Sequence, residues 1–254
     1  AAISTIMAGV KDAVAVDSNT VERAVKALQA YLRKQEAEKD QQVLIADDKF
    51  FLLTINLFNA PDKATTSPIR IDIPHSLYLG DGCEICLITK DPQRQYKDML
   101  AASPIDSYKK VIGISKLRKN YTQYKDKREL VSSYELFVAD DRIIPLLPNI
   151  LGKAFFSRKK QPVPARLSDK YASEALKQAR DSTYMFRSKG TCMTVKIARV
   201  SHERREIVQN VIAGIENISK KFPNGLGDIQ SIYLKLPESV ALPLYNCLPE
   251  EPAV

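Results

Sequence analysis

The chain of 254 residues has no tryptophan, two histidines, four cysteines and nine glycines. With His75 and His202 as its imidazoles, and no nucleophile elbow beside either, a Ser-His-Asp or Cys-His assembly has little to be built from. Four cysteines are too few for a disulfide framework in so long a chain. Cys83 and Cys86 form a C-x-x-C, but "CEICLIT" reads as a buried strand, in which positions i and i+3 face opposite ways. Zinc would need a second ligand pair of suitable spacing, and none is visible. Two core thiols in a reducing compartment, cytosol or nucleus, are therefore expected. No apolar stretch approaches the roughly 18 residues that cross a bilayer, so no membrane partner is expected. The opening "AAISTIMAGVKDAVAVD" lacks a charged n-region and reads as a short helix or trimmed leader over residues 1–16, not a signal peptide. The missing initiator Met is expected of a chain that is not the complete gene product.

What is present is positive charge, unevenly placed. The net charge is +8. Residues 83–167 hold 17 Lys/Arg against 9 Asp/Glu, while the remainder holds 21 of each. The whole imbalance belongs to the middle third, and a basic face of this kind predicts an acidic macromolecular partner, nucleic acid first.

The hydrophobic pattern divides the chain at similar places. Over 18–38, Val21, Ala24, Val25, Leu28 and Leu32 recur at helical intervals behind Ser18 or Asn19 as cap. "KFFLLTINLFNA" and "PIRIDIPHSL", separated by a polar turn, predict a strand–loop–strand hairpin. From residue 83, "CEICLIT", "KVIGIS" and "YELFVADD" are short apolar runs, each followed by a helix-like segment, and "PVPARL" adds a short fourth strand. Repeated strand-then-helix predicts a parallel sheet with helices on both faces. After residue 168 come a polar helix capped by Ser168, an alternating strand "CMTVKIARV", a helix opening at Ser201 with Ile207, Val211, Ile215 and Ile218 on one stripe, and a last strand in "DIQSIYLKLPES". The expected fold class is α/β: an α+β split domain, residues 17–82 plus 168–254, carrying an inserted three-layer α/β parallel-sheet domain, residues 83–167.

Few constellations support catalysis. A phosphate-binding turn needs glycine so that backbone amides can approach the anion, and the turns "KDPQRQ", "SKLRKN" and "ADDRII" have none. Asp140 and Asp141 end a strand, where a magnesium ligand is conceivable, but with no third oxygen ligand nearby a helix cap is the better reading. No catalytic residue, metal, cofactor or small-molecule substrate is expected. The basic clusters are richer. From Lys109 to Arg128 eight residues are basic and only Asp126 is acidic. On a helix from Lys116, the residues Leu117, Tyr121, Tyr124 and Val131 form the buried stripe. Lys116, Lys119 and Lys127 share the outward side, with Arg118 and Lys125 close by. A second cluster follows in "LGKAFFSRKKQPVPARL", with Lys153, Arg158, Lys159, Lys160 and Arg166 behind a helix ending near Gly152. Solvated surface is the plain alternative, but missing acids and repeated flexible cations favour phosphate contacts. The tyrosines are expected in the core and not as stacking platforms.

"SSYELFVADDRIIPLLPNILGKAFFSRKKQPVPARL" resembles the inserted domain of the ribosomal protein L-one family, and the resemblance runs from about residue 18 to Tyr245. "CLITKD", "LPNILGKAFF", "PVPARL" and "ALPLY" look like its eukaryotic nucleolar branch. The resemblance implies a non-enzymatic ribosome assembly factor that binds precursor rRNA among other assembly factors and ribosomal proteins of a pre-ribosomal particle. It points to the large-subunit precursor, near the second internal transcribed spacer. A small-subunit processome factor of the same family, or a structural protein of the mature large subunit, is the alternative.

The family's RNA site lies on the split domain and carries over residue by residue. Lys49 and Phe50 match its Lys-Phe at a strand start, with Phe51 where the family has an acid. "FRSKG" resembles its Phe-Arg turn, which brings in Arg187, Ser188 and Lys189. Its Lys-Ser-Thr-Met-Gly loop falls on Lys235-Leu236-Pro237-Glu238-Ser239, where only Lys235 matches. That loss favours an assembly factor over the mature ribosomal protein. Lys49, Arg187, Lys189 and Lys196 are expected to hold one RNA element, and the basic insert to reach a second RNA segment or an acidic neighbour.

Overall fold

The computed structural model describes residues 17–38, 49–61, 67–78, 83–101, 105–167, 171–187 and 189–247. The leader over 1–16, the Ser168 cap and Ser188 lie outside the described residues. Helix α1 (Ser18–Glu38) buries the five apolar residues that its periodicity picks out. Its cap is one residue earlier than expected: the Asp17 carboxylate accepts from the Asn19 amide at 3.1 Å and the Thr20 hydroxyl at 3.1 Å. Strand β1 (Phe50–Leu57) alternates strictly between buried and half-buried positions, so one face meets a core and the other does not.

The expected hairpin does not form. Strand β2 (Ile69–Asp72) pairs with β7 (Ser182–Met185) in a separate two-stranded ribbon. β1 instead lies between β8 (Cys192–Arg199) and β9 (Ile229–Lys235), antiparallel to both, and β10 (Leu242–Asn246) completes a sheet of order β10-β9-β1-β8. Sequence neighbours usually pair. Here each edge of β1 is taken by a longer strand from far along the chain, so β2 must pair elsewhere. Neither β7 nor β10 was anticipated as a strand.

The parallel sheet forms as expected, in the order β4-β3-β5-β6, from β3 (Ile85–Thr89), β4 (Tyr108–Gly113), β5 (Leu136–Asp140) and β6 (Val163–Ala165). β3 and β5 are buried throughout, as strands covered on both faces are. One face packs on α3 (Ile114–Asn120), α4 (Tyr124–Ser133), α5 (Leu147–Leu151) and α6 (Lys153–Ser157) around Phe137 and Phe155, whose rings meet edge to face. The other face carries Leu87 and Val138. With α2 (Gln93–Ala101) against it, it joins a core continuous with that of the antiparallel sheets, reached through α7 (Ala172–Asp181).

The helix expected from Lys116 is two helices, broken at 121–123. The Thr122 hydroxyl donates to the Arg118 carbonyl at 2.9 Å, and Gln123 is extended. The buried stripe therefore stops at Leu117 and resumes at Leu130 and Val131. Tyr124 is 59 % exposed, a correction to its expected place in the core. Lys127 opens no common face with Lys116 and Lys119, because α4 starts a new axis and half-buries it.

Gly152 links α5 to α6 at φ +64°, a backbone that a side chain would strain. Gly214 in α8 (Arg204–Ser219) fills a different need: a Cβ there would lie 2.3 Å from the Ile197 side chain, so the helix rests directly on β8. α8 buries the expected Ile207, Val211, Ile215 and Ile218, but its cap is Glu203, in a reciprocal box with Glu206, and not Ser201.

Candidate nucleic-acid interface

α1 and α8 cover one face of the antiparallel sheet, through Phe51, Leu53 and Ile55 of β1. The opposite face follows from the register, since directly paired residues share a face. Leu52 stands between Lys196 and Lys235, Thr54 between Thr194 and Tyr233, and Asn56 between Cys192 and Ser231. Asn56 donates to the Ser231 hydroxyl at 3.0 Å. A half-exposed and mostly polar face, in which Ser231 is buried, thus has a lysine on either side at one end. Thr54, Thr194 and Tyr233 escaped the reading of the sequence, although strand alternation alone would have put them on this face.

The structure gathers Lys49, Phe50, Lys196 and Lys235 at that end. The Lys196 ammonium lies 4.2 Å from the centre of the Phe50 ring and the Arg199 guanidinium 5.0 Å from it, so one aromatic ring meets two cations. Lys49 donates to the Gln35 amide oxygen at 3.4 Å, and Gln35 in turn donates to the Glu238 carboxylate at 3.2 Å. This chain ties the start of β1 to α1 and to the loop after β9.

Arg187 and Lys189 are not brought to the same place. They precede Cys192, which pairs with Asn56 near the far end of β1, roughly 20 Å along the strand from Phe50. There Arg187 stacks on Phe222 at 5.5 Å, while Lys189 is exposed. The transferred residues therefore lie toward opposite ends of β1, with Arg187 against Phe222 just past α8, the helix on the sheet's covered face.

The parallel body presents the second set. Lys116, Arg118, Lys119 and Lys125 are exposed, as are Lys153, Arg158 and Lys159. Beside them Tyr124 carries Arg128 at 5.4 Å from its ring centre. Lys160 differs: its ammonium donates to the Val131 carbonyl at 3.0 Å and the Tyr134 carbonyl at 2.8 Å, closing the C-terminal end of α4. Burial lowers its pKa, with Glu135 opposing and Arg158 adding to the fall. Arg158 donates to the Ser132 hydroxyl at 2.8 Å. The run "SRKK" thus both completes α4 and faces outward.

The carboxylates at the ends of the parallel strands have structural work. Asp140 is buried and accepts from the Arg142 amide, the expected cap. Asp91 accepts from the Ser115 hydroxyl at 2.5 Å. Among the described residues no helix is long and apolar enough to cross a membrane, and no group of His, Cys, Asp and Glu could hold a metal ion.

Comparison with known proteins follows the same lines. A Schizosaccharomyces pombe protein named as a candidate ribosome biogenesis protein is 38% identical over 70% of this chain and 49% of its own length. "Ribosomal L1 domain-containing protein 1" of Mus musculus is 28% identical over 91% of this chain and 52% of its own. "Ribosome biogenesis protein UTP30" of Saccharomyces cerevisiae is 28% identical over 91% of each. The chain spans about half the length of the first two of these relatives. The ribosomal protein L1p/L10e family is matched over residues 20–240, and the chain belongs to it.

Proposed function

We propose that the chain is the RNA-binding unit of a non-enzymatic ribosome biogenesis factor of the nucleolus. It binds precursor rRNA beside other assembly factors and ribosomal proteins, in the large-subunit precursor near the second internal transcribed spacer. The split domain, residues 17–82 plus 168–254, holds one RNA element along its open sheet face, through Lys49, Phe50, Lys196 and Lys235 at one end and Arg187, Ser188 and Lys189 at the other. The inserted domain, residues 83–167, reaches a second segment with Lys116, Arg118, Lys119, Lys125, Lys153, Arg158, Lys159 and Lys160. The observation that carries this reading is the open face itself. A half-exposed sheet face with Lys196 against the Phe50 ring, lysines on either side of Leu52 and the polar Thr54, Asn56, Thr194 and Tyr233 in paired rows suits the phosphates and bases of a strand. The names of its relatives support the ribosomal setting.

Crosslinking the chain to RNA in cells and mapping the reads along the rRNA transcript tests the reading. Reads near the second internal transcribed spacer are expected. Reads confined to small-subunit precursor sequence would make it a processome factor, and recovery with translating ribosomes would make it a mature ribosomal protein. In vitro, replacing Lys153, Arg158, Lys159 and Lys160 together by Ala should lower the salt slope of RNA affinity by about three, at one phosphate per cation. An unchanged slope would assign that segment to solvent or to a protein partner.

A further inference from the structure

A cleft of about 250 Å³ lies where the parallel body meets the open face of the antiparallel sheet. Leu52, Thr194 and Lys196 line it from the sheet, and Leu136, Arg158 and Lys160 from the parallel body. The basic surfaces of the two bodies thus converge in one recess. We propose that this cleft is a phosphate seat, in which one phosphodiester of an RNA strand bridges the ammonium groups of Lys160 and Lys196 and so joins the two bodies through a single ligand group. The proposal rests on the RNA-binding reading above and adds that its two surfaces are continuous.

Three observations carry it. First, four cations line the recess, Arg158, Lys159, Lys160 and Lys196, and the acid beside them is already engaged: the Glu135 carboxylate is paired with Arg199. Second, Lys160 is held in place before any ligand arrives. An ammonium has three N–H donors. Two are given to the Val131 and Tyr134 carbonyls, which leaves one for a group in the cleft. Lys196 is likewise steadied, over Phe50. Third, the walls are partly apolar, with Leu52, Phe137 and Phe186, so a charge contact there is screened less than on open surface. Lys196 feels the charge of Lys160 across the recess. Burial lowers the pKa of Lys196, Lys160 lowers it further, Glu135 opposes, and Arg199 adds to the fall. An anion seated between them relieves that cost, and a phosphodiester keeps its charge at every pH at which the protein is folded.

The test is a double-mutant cycle on the affinity of the full chain for the rRNA transcript that it binds. Lys160→Gln and Lys196→Gln should each weaken binding about tenfold, the loss of one charge-assisted contact. The double variant should lose little more than either alone, and its salt slope should fall by about 0.7, one single-strand phosphate. Additive losses with twice that fall in slope would place the lysines on separate phosphates and overturn the seat. Unchanged affinity in both variants would do the same and leave the cleft to a protein carboxylate. A wild-type chain that binds no transcript would overturn the RNA reading as a whole. Because Lys160→Gln also loosens the end of α4, lysine ammonium NMR of the wild-type chain supplies a second measurement. RNA should raise the titration midpoints of Lys160 and Lys196 together, and two midpoints unmoved by bound RNA would refute the bridge.

Discussion

Arg199 and Glu135, 64 residues apart in sequence, form an ion pair at the junction of the two bodies. Arg199 ends β8 and is buried, with its guanidinium also donating to the Leu77 carbonyl and lying 2.8 Å from the Cys83 sulfur. Leu77 and Cys83 flank the crossing from one body into the other, and Glu135 immediately precedes β5. One side chain thus fastens the place where the chain enters the parallel sheet.

The two halves of this pair should not be equivalent. Glu135→Gln leaves a buried guanidinium without its counter-charge, at a cost of about 3 kcal/mol. Arg199→Met leaves a carboxylate that is 35% exposed and can turn to water, so it should cost less. Urea unfolding of the two variants checks the order, and equal losses would mean that the pair is not the main contact at this junction.

Asn210 is fully buried in α8 and serves three backbone groups. It accepts from the His75 amide at 2.9 Å and donates to the carbonyls of His75 and Ile197, at 2.9 and 3.0 Å. Asn210→Leu keeps the volume but leaves all three unpaired, so a loss on the order of 3 kcal/mol is expected. A shift in the urea midpoint worth under roughly 1 kcal/mol would show that the backbone finds other partners.

The cysteines should react in a fixed order. Burial pushes the Cys86 thiol up to about 12, with Lys110 opposing, and seals it from reagent. Cys192 is exposed at the start of β8. Iodoacetamide followed by mass spectrometry should find Cys192 alkylated in the native chain and Cys86 only at the rate of unfolding. Early labelling of Cys86 would contradict its place in the core.

Acid should weaken the fold partly through His202. Burial holds its imidazole below the usual range; Glu206 opposes, while Arg199 and His75 add to the depression. The unfolded chain then takes up the proton first, so this contribution is complete above about pH 6.5 and is lost as pH falls through the lower folded value. His202→Gln should flatten the fall in Tm between about pH 7 and pH 5. An unaltered slope would trace the acid sensitivity to other groups.

How much of this was legible beforehand depends on the range of the interaction. α1 and α8 could be read residue by residue, because their stripes repeat every 3.6 residues and need no distant partner. The parallel sheet could be read because strands covered on both faces are continuously apolar. The β1–β2 hairpin failed because pairing is decided by which strands arrive, and β8 and β9 arrive from well over a hundred residues away. Arg199 gave no signal at all: in "TVKIARV" it is one more basic residue, and its burial follows from where Cys83 and Glu135 come to rest.

The sequence by itself determined that the fold is α/β, that its excess charge lies in residues 83–167, and which family it belongs to, since periodicity, composition and motif are properties of neighbours along the chain. Only the tertiary structure decided that Lys196 lies over Phe50, that Arg187 lies against Phe222, and that Lys160 and Lys196 meet in one recess. These are juxtapositions across strands and bodies. They are fixed by register and by the packing of one layer on another, which no local stretch of residues encodes.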